Sequence, residues 1–131
     1  MVIDTSALLA VLLEETSAPA VARAIEHAPL RLLSAATLLE ASIVIEARKG
    51  DAGGRELDLL LYRAGVDVVD VDRNQAEIAR RAWRRFGKGR HAAALNYGDC
   101  FAYALAKSRD LPLLFLGDDF TQTDVDRVAL A

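Results

Sequence analysis

The chain has a single cysteine, Cys100, so it closes no disulfide on itself and suits a reducing compartment, the cytoplasm. Its longest apolar run, Thr5 to Leu13, is far short of the ~20 residues a membrane span needs. That run also lacks a basic flank, so neither a membrane segment nor a signal peptide is expected. With two histidines, His27 and His91, and one thiol, there is no Cys/His cluster to hold zinc. Net positive charge is missing too: the balance is −3, and nucleic acid would have to be held by a local basic patch. The phosphate-loop pattern G-x-x-x-x-G-K-[ST] is absent, because GKGR (Gly87 to Arg90) lacks its spacing. So are G-x-G-x-x-G and the G-x-S-x-G nucleophile elbow. What is present is 53% hydrophobic and 27% charged residues, the balance of a globular chain with a proper core, read as one domain over residues 1–131.

Charge is scarcest in three segments, and each of them contains one acid. Asp4 is the only charge in MVIDTSALLAVLL. Glu40 is alone between Arg31 and Glu46, in LLSAATLLEASIVI. Asp99 is alone between His91 and Lys107, in LNYGDCFAYALA. Burying an unpaired carboxylate costs several kcal/mol or forces it to protonate. Three such acids raise the question of whether they meet around one cation. Local readings compete: Asp4 could cap the helix that follows it, Asp99 could cap its own, and Glu40 could pair with a buried arginine.

The spacing of apolar residues predicts strands at 1–4, 30–34, 66–71 and 113–116, with an edge strand at 125–130. Helices are predicted at 6–14, 17–28, 36–49 (closed by Gly50), 55–64, 74–86 and 97–109. Strands alternating with helices argue for a parallel sheet covered on both faces, an α/β layer fold. In such sheets ligands bind beyond the carboxyl ends of the strands. Asp4 ends the first strand, and Asp118 and Asp119 follow the strand 113–116. Glu40 and Asp99 lie early in their helices, so all these acids can face one rim. Clustered carboxylates repel unless a hard divalent ion neutralises them, and Mg²⁺ or Mn²⁺ takes such oxygen ligands. A water held there could attack a phosphodiester.

The segments MVIDTSAL, SAATLLEASIVIEAR, LNYGDCFAYALAK and PLLFLGDDFTQTDV together resemble a PIN-domain ribonuclease of the VapC toxin type, over essentially the whole chain and in the family order. The resemblance implies a PIN-like three-layer α/β fold, with a central, mainly parallel sheet flanked by helices. It implies a Mg²⁺- or Mn²⁺-dependent endoribonuclease, a cognate antitoxin that blocks the site, an RNA substrate and a homodimer. Carried onto matching positions, Asp4, Glu40 and Asp99 are the metal-binding acids, and Ser6 orients the site by hydrogen bonding. The GDDF loop offers Asp118 or Asp119 as a fourth acid, and Asp118 is the expectation. Two rivals remain: a non-catalytic Mg²⁺-binding, receiver-like or partner-binding module, and an α/β phosphohydrolase with Asp4 as nucleophile. The second is weakened because Ser6 stands where a second Asp would be needed.

A basic stripe at four-residue spacing, Arg80, Arg84 and Lys88, could hold RNA phosphates if the helix runs that far; otherwise it is a solvated face. Glu77 is spaced to pair with Arg81. Cys100 reads as a small core residue, Trp83 and Phe86 as core packing, and His91 as a surface residue. Tyr97 stands near the rim as a further candidate for substrate contact.

Overall fold

A computed structural model describes residues 1–130. Four short strands, β1 (Val2–Ile3), β2 (Leu32–Ser34), β3 (Asp67–Val69) and β4 (Leu113–Leu114), form one sheet in the order β3-β2-β1-β4, with every pairing parallel. Five helices connect and cover them: α1 (Thr5–Leu12), α2 (Ala18–His27), α3 (Ala35–Arg63), α4 (Arg73–Phe86) and α5 (Tyr97–Arg109). Among the described residues no helix is long and apolar enough to cross a membrane.

The three layers follow from side chains alternating across the strands. Ile3, Leu33 and Leu114 point into one core with Leu8 of α1, Val21 of α2 and Ile45 and Leu57 of α3. Val2, Leu32 and Leu113 point the other way, into a core with Phe86 of α4, Leu105 of α5, Phe115 and Phe120. Both faces of β1 and β2 are therefore buried, as a parallel sheet requires. The order places β1 between β2 and β4, so the chain reverses its direction of travel across the sheet at the β1/β4 junction. Ligand crevices open at such a junction.

The elements depart from the sequence expectations in three places. The helices expected at 36–49 and 55–64 form one element, α3, whose two arms meet at Gly50; that residue alone leaves helical geometry (φ 64°). A left-handed φ is nearly free of strain only for glycine, so the predicted stop is a bend instead. β3 is an edge strand, with Asp67 and Val68 exposed on its two faces, which leaves room for an aspartate inside the strand. The segment 125–130 is no strand: it makes one isolated parallel bridge, Arg127 to Leu113.

Candidate functional site

Asp4 leaves the carboxyl end of β1 and caps α1. Its Oδ2 accepts from the Ser6 backbone N–H (3.1 Å) and from the Ser6 hydroxyl (2.6 Å). The same hydroxyl accepts the Leu116 N–H (3.0 Å), so Ser6 ties the end of β1 to the chain leaving β4. Asp99 belongs to the N-terminal capping box of α5: Asn96 caps the helix, and Asp99 Oδ2 reaches back to the Asn96 N–H (3.1 Å). Glu40, one turn into α3, accepts the Thr5 hydroxyl on Oε1 (2.5 Å). Capping is therefore real for Asp4, it is shared by Asn96 and Asp99, and among the described residues Glu40 pairs with no arginine.

In each of the three acids one oxygen is held and no side-chain donor reaches the other: Asp4 Oδ1, Asp99 Oδ1 and Glu40 Oε2. None of the three takes part in an ion pair among the described residues. A close approach of backbone to carboxylate holds the group together. A Cβ on Gly98 would stand 1.9 Å from Glu40 Oε2 and 2.7 Å from its Cδ, so only glycine lets α5 pass this near.

The electrostatics follow from burial without a counter-charge. Asp4 and Asp99 are 6% and 8% exposed. Desolvation pushes the Asp99 carboxyl up to about 7, the Asn96 N–H pulls it back, and the negative charges of Asp4, Asp119 and Glu40 push it up again. Desolvation also raises Asp4, against the Ser6 hydrogen bonds and the Thr5 backbone N–H and with the charge of Glu40. Of the two loop acids, Asp119 is the one whose charge reaches Asp99. Both loop acids are exposed, and the Asp118 carbonyl accepts the Thr121 N–H and hydroxyl. The Cys100 thiol is raised to about 11, by burial and then by Asp99, so it stays protonated near neutrality and is no nucleophile.

The donor set consists of carboxylate oxygens only, which suits Mg²⁺ or Mn²⁺. Among the described residues no three acid, His or Cys side chains are already gathered as a ready set of ligands, so an ion would have to draw the carboxylates in. Size points elsewhere: cavities of about 600 Å³, beside α1, α2 and the far arm of α3, and about 570 Å³, beneath Met1 and Pro112, contain none of these acids. The rim at the β1/β4 junction joins two buried acids, Asp4 and Asp99, and the half-buried Glu40, which repel one another and enter no ion pair among the described residues.

A PIN domain model matches residues 1–126. The chain belongs to the PIN-domain family. Within that family it is 58% identical over 130 residues to Ribonuclease VapC30 of Mycobacterium tuberculosis, covering 99% of each chain. It is also 58% identical over 128 residues to Ribonuclease VapC of Mycolicibacterium smegmatis, covering 98% of this chain and 99% of that one. Among solved PIN-like folds, Mycobacterium tuberculosis VapC20, described as a sarcin-ricin loop cleaving toxin, superposes with a TM-score of 0.79 at 17% identity, covering 97% of each chain. Rickettsia felis VapBC2, solved bound to a DNA fragment from its promoter, gives 0.77 at 12% identity, covering 98% of this chain and 96% of that one. The parallel sheet and flanking helices expected of a PIN-like fold are the ones described above.

The basic stripe is arranged differently from its sequence spacing. α4 ends at Phe86 and Gly87 caps it, so Lys88 lies beyond the helix. Glu77 turns to Arg80 (3.9 Å), one residue short of the expected Arg81. Arg90 stacks over Trp83 (4.3 Å), covering a ring that is 43% exposed rather than buried in the core. Tyr97 is 81% exposed, edge-to-face with Phe101. Gly98 is the site residue that sequence reasoning passed over; its one signal was a glycine inside a helix, directly before the lone acid.

Proposed function

We propose that this chain is the toxin of a toxin–antitoxin pair, a cytoplasmic endoribonuclease that cuts RNA with Mg²⁺ or Mn²⁺. The observation that carries the reading is three acids from three separate elements, Asp4 and Asp99 buried and Glu40 half-buried, each with one oxygen fixed by the fold, the other without a side-chain donor, and no basic partner among the described residues. Asp4, Glu40 and Asp99 would hold the ion, with Asp119 as the fourth acid in preference to Asp118, because its charge reaches Asp99. When bound, the ion would supply positive charge against the phosphate and an acidified water. The chain's own contribution is orientation. Ser6 holds Asp4 by two bonds and Thr5 holds Glu40. Asn96 holds Asp99 at the start of α5, where the helix dipole favours an anion. Exposed Arg84 and Lys88, outside every ion pair of the described residues, are available to phosphates.

Two partners complete the reading: a protein antitoxin that shields the rim, and a second copy of the chain. For the second copy, support comes from exposed apolar side chains, Leu39 (62% exposed) and Ile43 (60%) on α3 and Tyr97 on α5.

The deciding test incubates antitoxin-free chain with structured RNA and Mn²⁺ or Mg²⁺. Cleavage is expected, and EDTA and Asp99→Asn should each abolish it. Cleavage that survives both sinks the acid mechanism. Protein concentration series in light scattering test the dimer, which Ile43→Glu should split.

A further inference from the structure

Between α4 and α5 lies a cleft of about 350 Å³, lined by Ile78, Arg81, Ala82, Arg85, Tyr103 and Lys107. Its α4 wall falls at i, i+3, i+4 and i+7 and its α5 wall at i and i+4, so three basic side chains converge from two packed helices. Their charge is not cancelled. Arg85 and Lys107 share one carboxylate, Asp124, at 3.3 and 3.5 Å. Arg81 enters no ion pair among the described residues, because Glu77 has turned to Arg80. Three cations thus face one anion. The Tyr103 hydroxyl also donates to Asp124, and with Lys107 and Arg85 it outweighs burial and holds that carboxyl below the usual range. Asp124 is fixed by these three donors, while the cationic heads remain exposed.

An apolar floor (Ile78, Ala82) under arginine and lysine heads suits an anion carried on an apolar attachment, as a phosphodiester is on its sugars; the guanidinium fork matches phosphate oxygens. Placement adds the second argument. Asp99, Tyr103 and Lys107 follow at four-residue intervals along one side of α5, and a rise of 1.5 Å per residue puts Lys107 about 12 Å from Asp99. We propose that the α4–α5 cleft is a phosphate subsite that holds the RNA strand a few nucleotides from the bond being cut. It positions the strand and does not read its sequence. The proposal rests on the RNA-cleaving reading above, and it differs from the outward stripe of Arg80, Arg84 and Lys88.

The test uses the full chain carrying Asp99→Asn, titrated against labelled single-stranded RNA by anisotropy at several salt concentrations. Arg81→Gln should weaken binding and flatten the log–log salt dependence by about 0.7, and Arg81→Gln with Lys107→Gln by about 1.4. Arg81→Gln alone breaks no ion pair, so it keeps the test valid should loss of Lys107 loosen Asp124. In the cleaving chain, the rise in KM caused by Arg81→Gln should grow with RNA length. An unchanged salt slope, a KM effect equal at every length, or weakening only when Arg80, Arg84 and Lys88 are reversed overturns the subsite. If the parent chain binds no RNA at all, the RNA-cleaving reading falls with it; binding that ignores Arg81 removes the subsite alone.

Discussion

Gly98→Ala separates the site from the stability of the fold. The new methyl group would stand 1.9 Å from Glu40 Oε2, and ordinary contact begins at roughly 3.4 Å, so the carboxylate must retreat by about 1.5 Å. The atoms that meet it belong to the far end of a long side chain, not to backbone, so the fold can yield. The retreat costs an off-rotamer Glu40, ~1 kcal/mol, and the Thr5 hydrogen bond, another ~1 kcal/mol. Alanine returns up to about 1 kcal/mol of helix propensity. The net loss of about 1 kcal/mol lowers the melting temperature by only about 4 °C in a domain of this size. Activity is affected on another scale, because a displacement of about 1 Å in a positioned catalytic group costs ~100-fold in rate. Single-turnover cleavage of one RNA at saturating Mn²⁺, read beside a melting curve, measures both. Turnover within threefold of the parent would refute the claim that Gly98 sets the position of Glu40. A fall in melting temperature beyond about 10 °C would refute the claim that the clash is absorbed by a side chain.

Four further outcomes follow from the same geometry. A buried acid whose folded pKa is raised binds more protons in the folded than in the unfolded state, so its contribution to stability is full at low pH and is lost as pH rises from about 4 to about 7. Asp99→Asn should therefore melt higher than the metal-free parent at pH 8 and lose that advantage by pH 4, while abolishing cleavage; a constant difference across that range would contradict the pKa argument. Ser6→Ala leaves Asp4 Oδ2 and the Leu116 N–H without their shared partner and should cost about 1–3 kcal/mol by urea unfolding, together with a fall in kcat. Asp119→Asn should weaken Mn²⁺ binding, read by calorimetry, more than Asp118→Asn does; the reverse order would return the fourth position to Asp118. Asp72→Ala, which removes the cap on the Gln75 N–H at the start of α4, should cost about 1 kcal/mol in stability and leave metal affinity as it was.

The sequence by itself determined the class of fold, because local periodicity and apolar content are set by neighbours in the chain. The buried runs around Ile3, Leu33 and Leu114 announced a sheet covered on both sides. The lone acids Asp4, Glu40 and Asp99 stood out because an unpaired carboxylate among apolar residues is costly wherever it is buried. Gly50 marked a break in helical geometry, though whether the chain stops or bends there depends on what the second arm packs against. The tertiary structure alone decided how distant groups meet. Thr5 came to Glu40, Ser6 to the chain after β4, and the backbone at Gly98 to the carboxylate it must clear, over separations no spacing rule spans. Electrostatics was likewise a matter of three dimensions: the charges of Asp4, Asp119 and Glu40 converge on Asp99, and Glu77 turns to Arg80, because charge falls off with distance in space. The stripe Arg80, Arg84, Lys88 was legible in the sequence, whereas the Arg81, Arg85, Lys107 cleft exists only because α5 packs against α4.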